Sequence, residues 1–294
     1  MYEWIHHCCN GYPFLITQPA VSAEHPWQAK LPFKEATITY EIQGLQQGTE
    51  TLYIKDFGAA RAKKTSVILK AGGKEIPLNR LEISDKDWVI QYNPAEKTGT
   101  KTVSPYKLYQ LEYAKLTPKE QQAVNKNARQ YKPYPTGYPG EEKILGHACD
   151  IVTAGDKASM IHSKIYYLRG TDIPLRADFY TPSGEVRSIT ATRIDTTSPI
   201  PEALFTSARD ITIRTDRTRE AMTTQAVRQA MAVFASPEIG KTTGSESLAP
   251  ALPEGIMPDL TVGDLQMSKE EQEKMIKEMI VNADKFRAEQ PESK

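Results

Sequence analysis

No long apolar run occurs anywhere in the 294 residues. A membrane-spanning helix needs roughly 18 consecutive apolar residues, so nothing in the sequence reads as crossing a bilayer by helix. There is no excess of charge either, because 37 basic and 37 acidic side chains cancel. Without a Lys- and Arg-rich run the electrostatic footprint of a nucleic-acid binder is missing. Cysteine is scarce: Cys8 and Cys9 lie near the start and Cys149 stands alone. That excludes a disulfide framework, and the lack of Cys-x-x-Cys-His excludes a covalently attached haem. Complete catalytic motifs are lacking too. Asp56-Phe57-Gly58 spells a kinase tripeptide, yet no Gly-rich loop, paired Lys or His-Arg-Asp element accompanies it, and it reads as a strand-end turn.

What is present is alternation. Glu35-Ala-Thr-Ile-Thr-Tyr-Glu-Ile42 sets Ala36, Ile38, Tyr40 and Ile42 on one side of an extended strand and polar residues on the other. Further short runs follow at Thr49 to Lys55, Lys63 to Lys70, Ile76 to Ile83 and Trp88 to Tyr92, with a more polar one at Thr100 to Ser104. Turn residues separate them, and Gly72-Gly73 is a hairpin signal. Short links favour sequential antiparallel pairing. A second block runs through Ala148 to Thr153, Ala158 to His162, Ile165 to Leu168, Leu175 to Tyr180 and Val186 to Ile194.

Between the blocks the pattern turns helical. Thr117, Pro118 and Glu120 form a capping box ahead of Ala123, Val124 and Ala128, predicting one inserted helix to Gln130. The Pro- and Gly-rich Tyr131 to Gly140 then reads as a loop. The whole predicts a mainly β fold: one curved antiparallel sheet over residues 33–209 with an inserted helix, followed by C-terminal helices. Residues 210–239 carry a helix with Met222, Ala226, Ala230, Val233 and Phe234 at helical spacing, and 240–267 read as a flexible linker. Residues 268–294 open on a capping box at Ser268 and place Met275, Ile276, Met279, Ile280, Ala283 and Phe286 on one face. Such an apolar face needs a cover, either the sheet or a partner protein.

Residues 1–32 read as a leader. Tyr12 to Ala23 holds a short apolar stretch ending in Val21-Ser-Ala23, which suits signal cleavage, but the basic n-region is missing. Export and a plain leader therefore both stand. His6-His7-Cys8-Cys9 has ligand chemistry for zinc or copper, yet neighbouring residues diverge and lack the spacing of metal sites, so no metal is expected. His147 and Cys149 stand two apart on a strand and could share a face as a nucleophile or metal pair. Lacking a third orienting residue, they read as a buried thiol beside an imidazole, and no catalytic residue is expected.

The two-block strand order, the words Gly170, Pro174 and Leu175, and then Ile200, Pro201, Leu204 and Phe205 resemble the periplasmic lipoprotein-carrier superfamily. Ile144 to Ile151 resembles the start of the second block in an uncharacterised bacterial branch of it. The resemblance covers about residues 33–207. It implies a curved sheet wrapping a helix as an open half-barrel over residues 33–209, an apolar hollow that binds acyl chains, no catalysis, no cofactor and a periplasmic or cell-envelope location. On that basis the ligand-binding side chains are Ile38, Tyr40, Leu52, Ile54, Ile90 and Phe179. The same side chains serve a filled core equally well. The expected partners are a hydrophobic ligand or a lipidated protein, with no nucleic acid. The alternative is a scaffold that binds a protein partner through the C-terminal amphipathic helix.

Overall fold

The computed structural model describes residues 31–71, 74–130, 142–154, 162–181 and 184–236. Residues 1–30 of the leader, the loop at 131–140, most of the expected strand at Ala158 to His162, and the linker and terminal helix after 236 lie outside the described residues. The first meander is β1 (Ala36–Gly44), β2 (Gln46–Lys55), β3 (Ala60–Ala71), β4 (Lys74–Ser84), β5 (Trp88–Asn93) and β6 (Thr98–Val103). Helices α1 (Pro105–Tyr113) and α2 (Pro118–Gln130) follow. The second meander is β7 (Lys143–Ile144), β8 (His147–Ala154), β9 (His162–Leu168), β10 (Pro174–Thr181) and β11 (Gly184–Asp195). A short β12 (Thr212–Thr215) and the helix α3 (Arg217–Ala235) come last.

The twelve strands among the described residues form one sheet in the order β12-β6-β5-β4-β3-β2-β1-β11-β10-β9-β8-β7. The first strand is the seam, because β1 pairs with β2 on one side and with β11 on the other. Every pairing is antiparallel except that of β12, which lies parallel to β6. That edge strand departs from an all-antiparallel expectation because the chain returns to it from across the molecule rather than through a hairpin.

The sheet is bent but not closed. Arg61 on β3 pairs with Asp172 in the turn between β9 and β10, Nη2 to Oδ2 at 2.8 Å. In the strand order β3-β2-β1-β11-β10 the two ends are four spacings apart, about 19 Å in a flat sheet. Only a strong bend brings them into contact. The largest apolar cluster forms where this bend is tightest, joining Ala36, Ile38, Tyr40 and Ile54 to Leu31, Ile173, Leu175 and Ala191, with Cys149 and Tyr166.

The insertion holds two helices, not one. Ser104 ends the β6 region as an N-cap, its Oγ accepting from the Lys107 amide at 3.1 Å and donating to the Lys86 carbonyl at 2.7 Å, with Pro105 at the first helical position. The same Ser104 reads as a strand end in the sequence because α1 has only a weak apolar stripe, with Leu108 buried and Leu111 exposed. Replacing Ser104 with Ala removes both bonds, and chemical denaturation should show a loss of about 1 kcal/mol. The capping box of α2 forms as expected: Glu120 Oε2 accepts from the Thr117 amide at 2.8 Å, and Thr117 Oγ1 accepts from the Glu120 amide at 3.4 Å.

Helices α1, α2 and α3 pack on one another around Leu108, Val124, Val227, Met231 and Phe234, beside β6. Met222, expected on the apolar stripe of this last helix, is instead exposed. The buried face runs through Val227 and Met231, one turn further along, where the other two helices lie.

Candidate functional site

Register decides which side chains share a face. On β1, Ala36, Ile38, Tyr40 and Ile42 are all buried. Their partners are Ile54, Leu52, Glu50 and Gly48 on β2, and on β11 Ile194, Ala191 and Ile189 lie opposite Ile38, Tyr40 and Ile42. Continuing outward, this face carries Arg61, Lys63, Thr65, Val67 and Leu69 on β3, and Ala177 and Phe179 on β10. It is the inner face of the bend.

One row across it shows the division of chemistry. Ile194, Ile38 and Leu52 are followed, strand by strand, by Lys63, Glu82, Gln91, Thr100 and Arg214. The β11-β1-β2 part is apolar and the part from β3 to β12 is polar. Its middle members bond to one another: Lys63 pairs with Glu82 at 3.8 Å, Gln91 Nε2 donates to Glu82 Oε2 at 2.5 Å, and Arg219 Nη1 donates to Gln91 Oε1 at 2.6 Å. Arg80 also donates to Gln91. Through Arg219 this network fixes α3 against the inner face.

The expected ligand-binding residues fall into three places. Ile38, Tyr40 and Ile54 belong to the largest cluster and Leu52 packs against it, so these four sit together at the tight end of the bend. Phe179 lies in a second cluster with Val152, Ile165, Tyr167 and Ala177. Ile90 lies on the opposite face. It pairs with Ile83, Ile83 with Ala62, Ala62 with Tyr53 and Tyr53 with Thr37. There it packs against the outer cluster of Ala62, Ile83 and Tyr92, which Leu204, Phe205 and Ile211 also cover. On β5 the inner positions are Val89 and Gln91.

Away from the tight end a second apolar stretch runs along one edge of the inner face, beside the buried Gln46. Ile42 on β1, Val67 and Leu69 on β3, and Phe179 on β10 are all buried, with Ile76 and Leu78 half-buried on β4 and Ile189 on β11. Among them stands Arg187, paired in register with Gly44 on one side and Phe179 on the other. It is 9 % exposed, and burial pushes its guanidinium below its usual pKa. Its Nε has no hydrogen-bond partner among the described residues. Sequence reasoning passed over it, although it stands in phase with Ile189 and Ala191. Tyr40 is a second case. Its hydroxyl is buried without a partner among the described residues, and desolvation raises its pKa, with Glu50 adding to the effect.

His147 and Cys149 do not assemble a reactive pair. Cys149 is buried, its Sγ lies 3.6 Å from the backbone oxygen of His147, and burial pushes the thiol pKa up. A raised pKa disfavours the thiolate that nucleophilic chemistry needs. Among the described residues no group of three His, Cys, Asp or Glu side chains could hold a metal ion. A groove of about 420 Å³ beside α1, α2 and α3 is lined by Glu112, Lys115, Arg228 and Met231. Its two carboxylates are already engaged, Glu112 at 2.7 Å from Lys115 and 3.0 Å from Arg228, and Glu120 in the capping box of α2.

No protein-family model matches this chain, and no curated protein matches it in sequence. Among solved structures it is similar to an uncharacterized conserved protein from Thermus thermophilus, at 10% identity and a TM-score of 0.38 over 62% of this chain and 90% of that one. It is also similar to the MucA/MucB complex of Pseudomonas aeruginosa, at 13% identity and a TM-score of 0.28 over 60% of this chain and 56% of that chain. A putative outer membrane lipoprotein-sorting protein domain from Vibrio parahaemolyticus matches at 12% identity and a TM-score of 0.21, over 58% and 88%. These likenesses assign neither a family nor an activity.

Proposed function

We propose that this chain is a non-catalytic binding protein that holds an acyl chain or another hydrophobic ligand against the inner face of its bent sheet. The observation that carries the reading is the apolar stretch beyond the packed end, formed by Ile42, Val67, Leu69, Phe179 and Ile189 on four strands. A surface of that breadth, flanked by a polar half whose middle members bond to one another, suits a ligand that is mostly hydrocarbon. Ile38, Tyr40, Leu52 and Ile54 then form the floor of the site, with Phe179 on its wall. Because the wall is already shielded from solvent, ligand entry exchanges protein contacts for contacts with the chain. Location in the periplasm or cell envelope is part of the proposal and rests on the Val21-Ser22-Ala23 pattern.

A native mass spectrum of the purified full chain tests this. The expected result is a population heavier than the chain by the mass of a lipid or fatty acid, released by organic solvent. A bare mass that stays bare after incubation with fatty acids would remove the reading.

A further inference from the structure

The strongest unexplained feature of the inner face is a cation. Arg187 is nine-tenths buried on β11, and its Nε lacks a partner among the described residues. Among the described residues, Glu50 is the charge that acts on it. That carboxylate is poorly placed to pair: it stands opposite Tyr40, whereas Arg187 stands opposite Gly44. Four residues along the strand are about 13 Å, with a further strand between, and Glu50 already accepts a hydrogen bond from Thr65 at 2.8 Å. A guanidinium withdrawn from water without a counter-ion is costly to a fold. Its register partners are Phe179 on one side, with Ile189 two residues along its own strand, and on the other Gly44, which has no side chain. A planar fork of donors next to a hydrocarbon wall suits an oxyanion carried on an apolar tail.

Building on the hydrophobic-ligand reading, we infer that Arg187 receives the anionic head of a single-chain amphiphile whose tail lies along Phe179, Ile189 and Ile42. The recognised chemistry is an oxyanion, a carboxylate or a phosphate, held by the guanidinium. No covalent step is involved.

Calorimetric titration of the full chain with laurate, dodecyl phosphate and dodecanol tests this, since the three share one tail and differ in the head. The expected result is at least about tenfold tighter binding of one or both anions than of the alcohol, the size of a charge-assisted hydrogen bond. Whichever anion binds tighter identifies the head. In Arg187→Gln that preference should shrink to about twofold or less with dodecanol affinity unchanged. Arg187→Lys, which keeps the charge without the fork, should fall between the two. Circular dichroism reports the folding of each variant, and the wild-type and Lys comparisons decide the matter should the Gln variant unfold. Equal binding of all three ligands by the wild type, or an undiminished preference in the variants, would overturn the role of Arg187 and leave the hydrophobic-ligand reading in place. Binding of none of them would overturn both.

Discussion

Ile38→Asp should abolish cooperative unfolding, leaving a chain without a thermal transition by circular dichroism. Ile38 is wholly buried on the seam strand between Leu52 and Ile194, within the cluster that fills the tight end of the bend. An unpaired carboxylate there either stays ionised in an apolar medium or takes up a proton at the cost of a large pKa shift, and the effective penalty is several kcal/mol. A domain's whole stability is about 5–15 kcal/mol, so the substitution consumes most of it. Ile38→Val is the control. It removes one methylene and should cost about 1 kcal/mol, retaining a sharp transition. A folded Ile38→Asp protein would mean that this end of the sheet is wetter than its packing indicates.

Gly48→Ala carries the second large effect. Gly48 has φ +154, and a Cβ built there meets the Ser66 backbone oxygen at 2.2 Å and the Val67 Cα at 2.8 Å. Both contacts are main chain on β3, the strand to which β2 is bonded in register, so relief requires parting the two strands. About 3 kcal/mol or more should be lost in chemical denaturation. Gly146→Ala provides the contrast. That glycine also has positive φ, at +80, but a Cβ there meets nothing within 4 Å, leaving only the conformational cost of about 1 kcal/mol. Equal losses at the two sites would show that the approach of β2 to β3 is loose.

Alternation within single strands was readable, and its limits are physical. The run from Glu35 to Ile42 has a period of two along its whole length because one side is buried by the bend and the other is wet, and the observed strand begins one residue later and ends at Gly44. Relative phase between strands was not readable. Trp88, Ile90 and Tyr92 alternate as cleanly as Ile38, Tyr40 and Ile42, yet they face the other way, and only the pairing of Ile90 with Ile83 and of Ala62 with Tyr53 reveals it. The intervening β3 gives no guidance, since its inner positions run from Arg61 and Lys63 to Val67 and Leu69. Half of that face is polar and ion-paired, so hydrophobicity does not mark it. The outer apolar patch on β5 exists because Leu204, Phe205 and Ile211 return to cover it, a contact more than a hundred residues distant in the chain.

Helices show the same contrast between local and distant causes. The α2 start is encoded in Thr117, Pro118 and Glu120, three neighbours that cap one another. The buried face of α3 is set by where α1 and α2 lie, so Val227 and Met231 are covered while Met222 is 68 % exposed. Arg187 is the instructive miss. A charged residue within a strand is ordinarily taken as solvent-facing, and its burial follows from a register that places Phe179 and Gly44 beside it.

Photo-crosslinking tests the central claim most directly. The full chain is loaded with a fatty acid bearing a diazirine on its tail, irradiated and digested, and the labelled peptides are identified by mass spectrometry. The account predicts label on peptides from Ala36–Gly44, Ala60–Ala71 and Pro174–Thr181, whose inner-face side chains line the apolar stretch, and none on Trp88–Asn93, where Ile90 and Tyr92 face outward and the inner Val89 and Gln91 lie in the polar half of the face. Label confined to Trp88–Asn93 or to the three helices, or a chain that takes up no label, would contradict it.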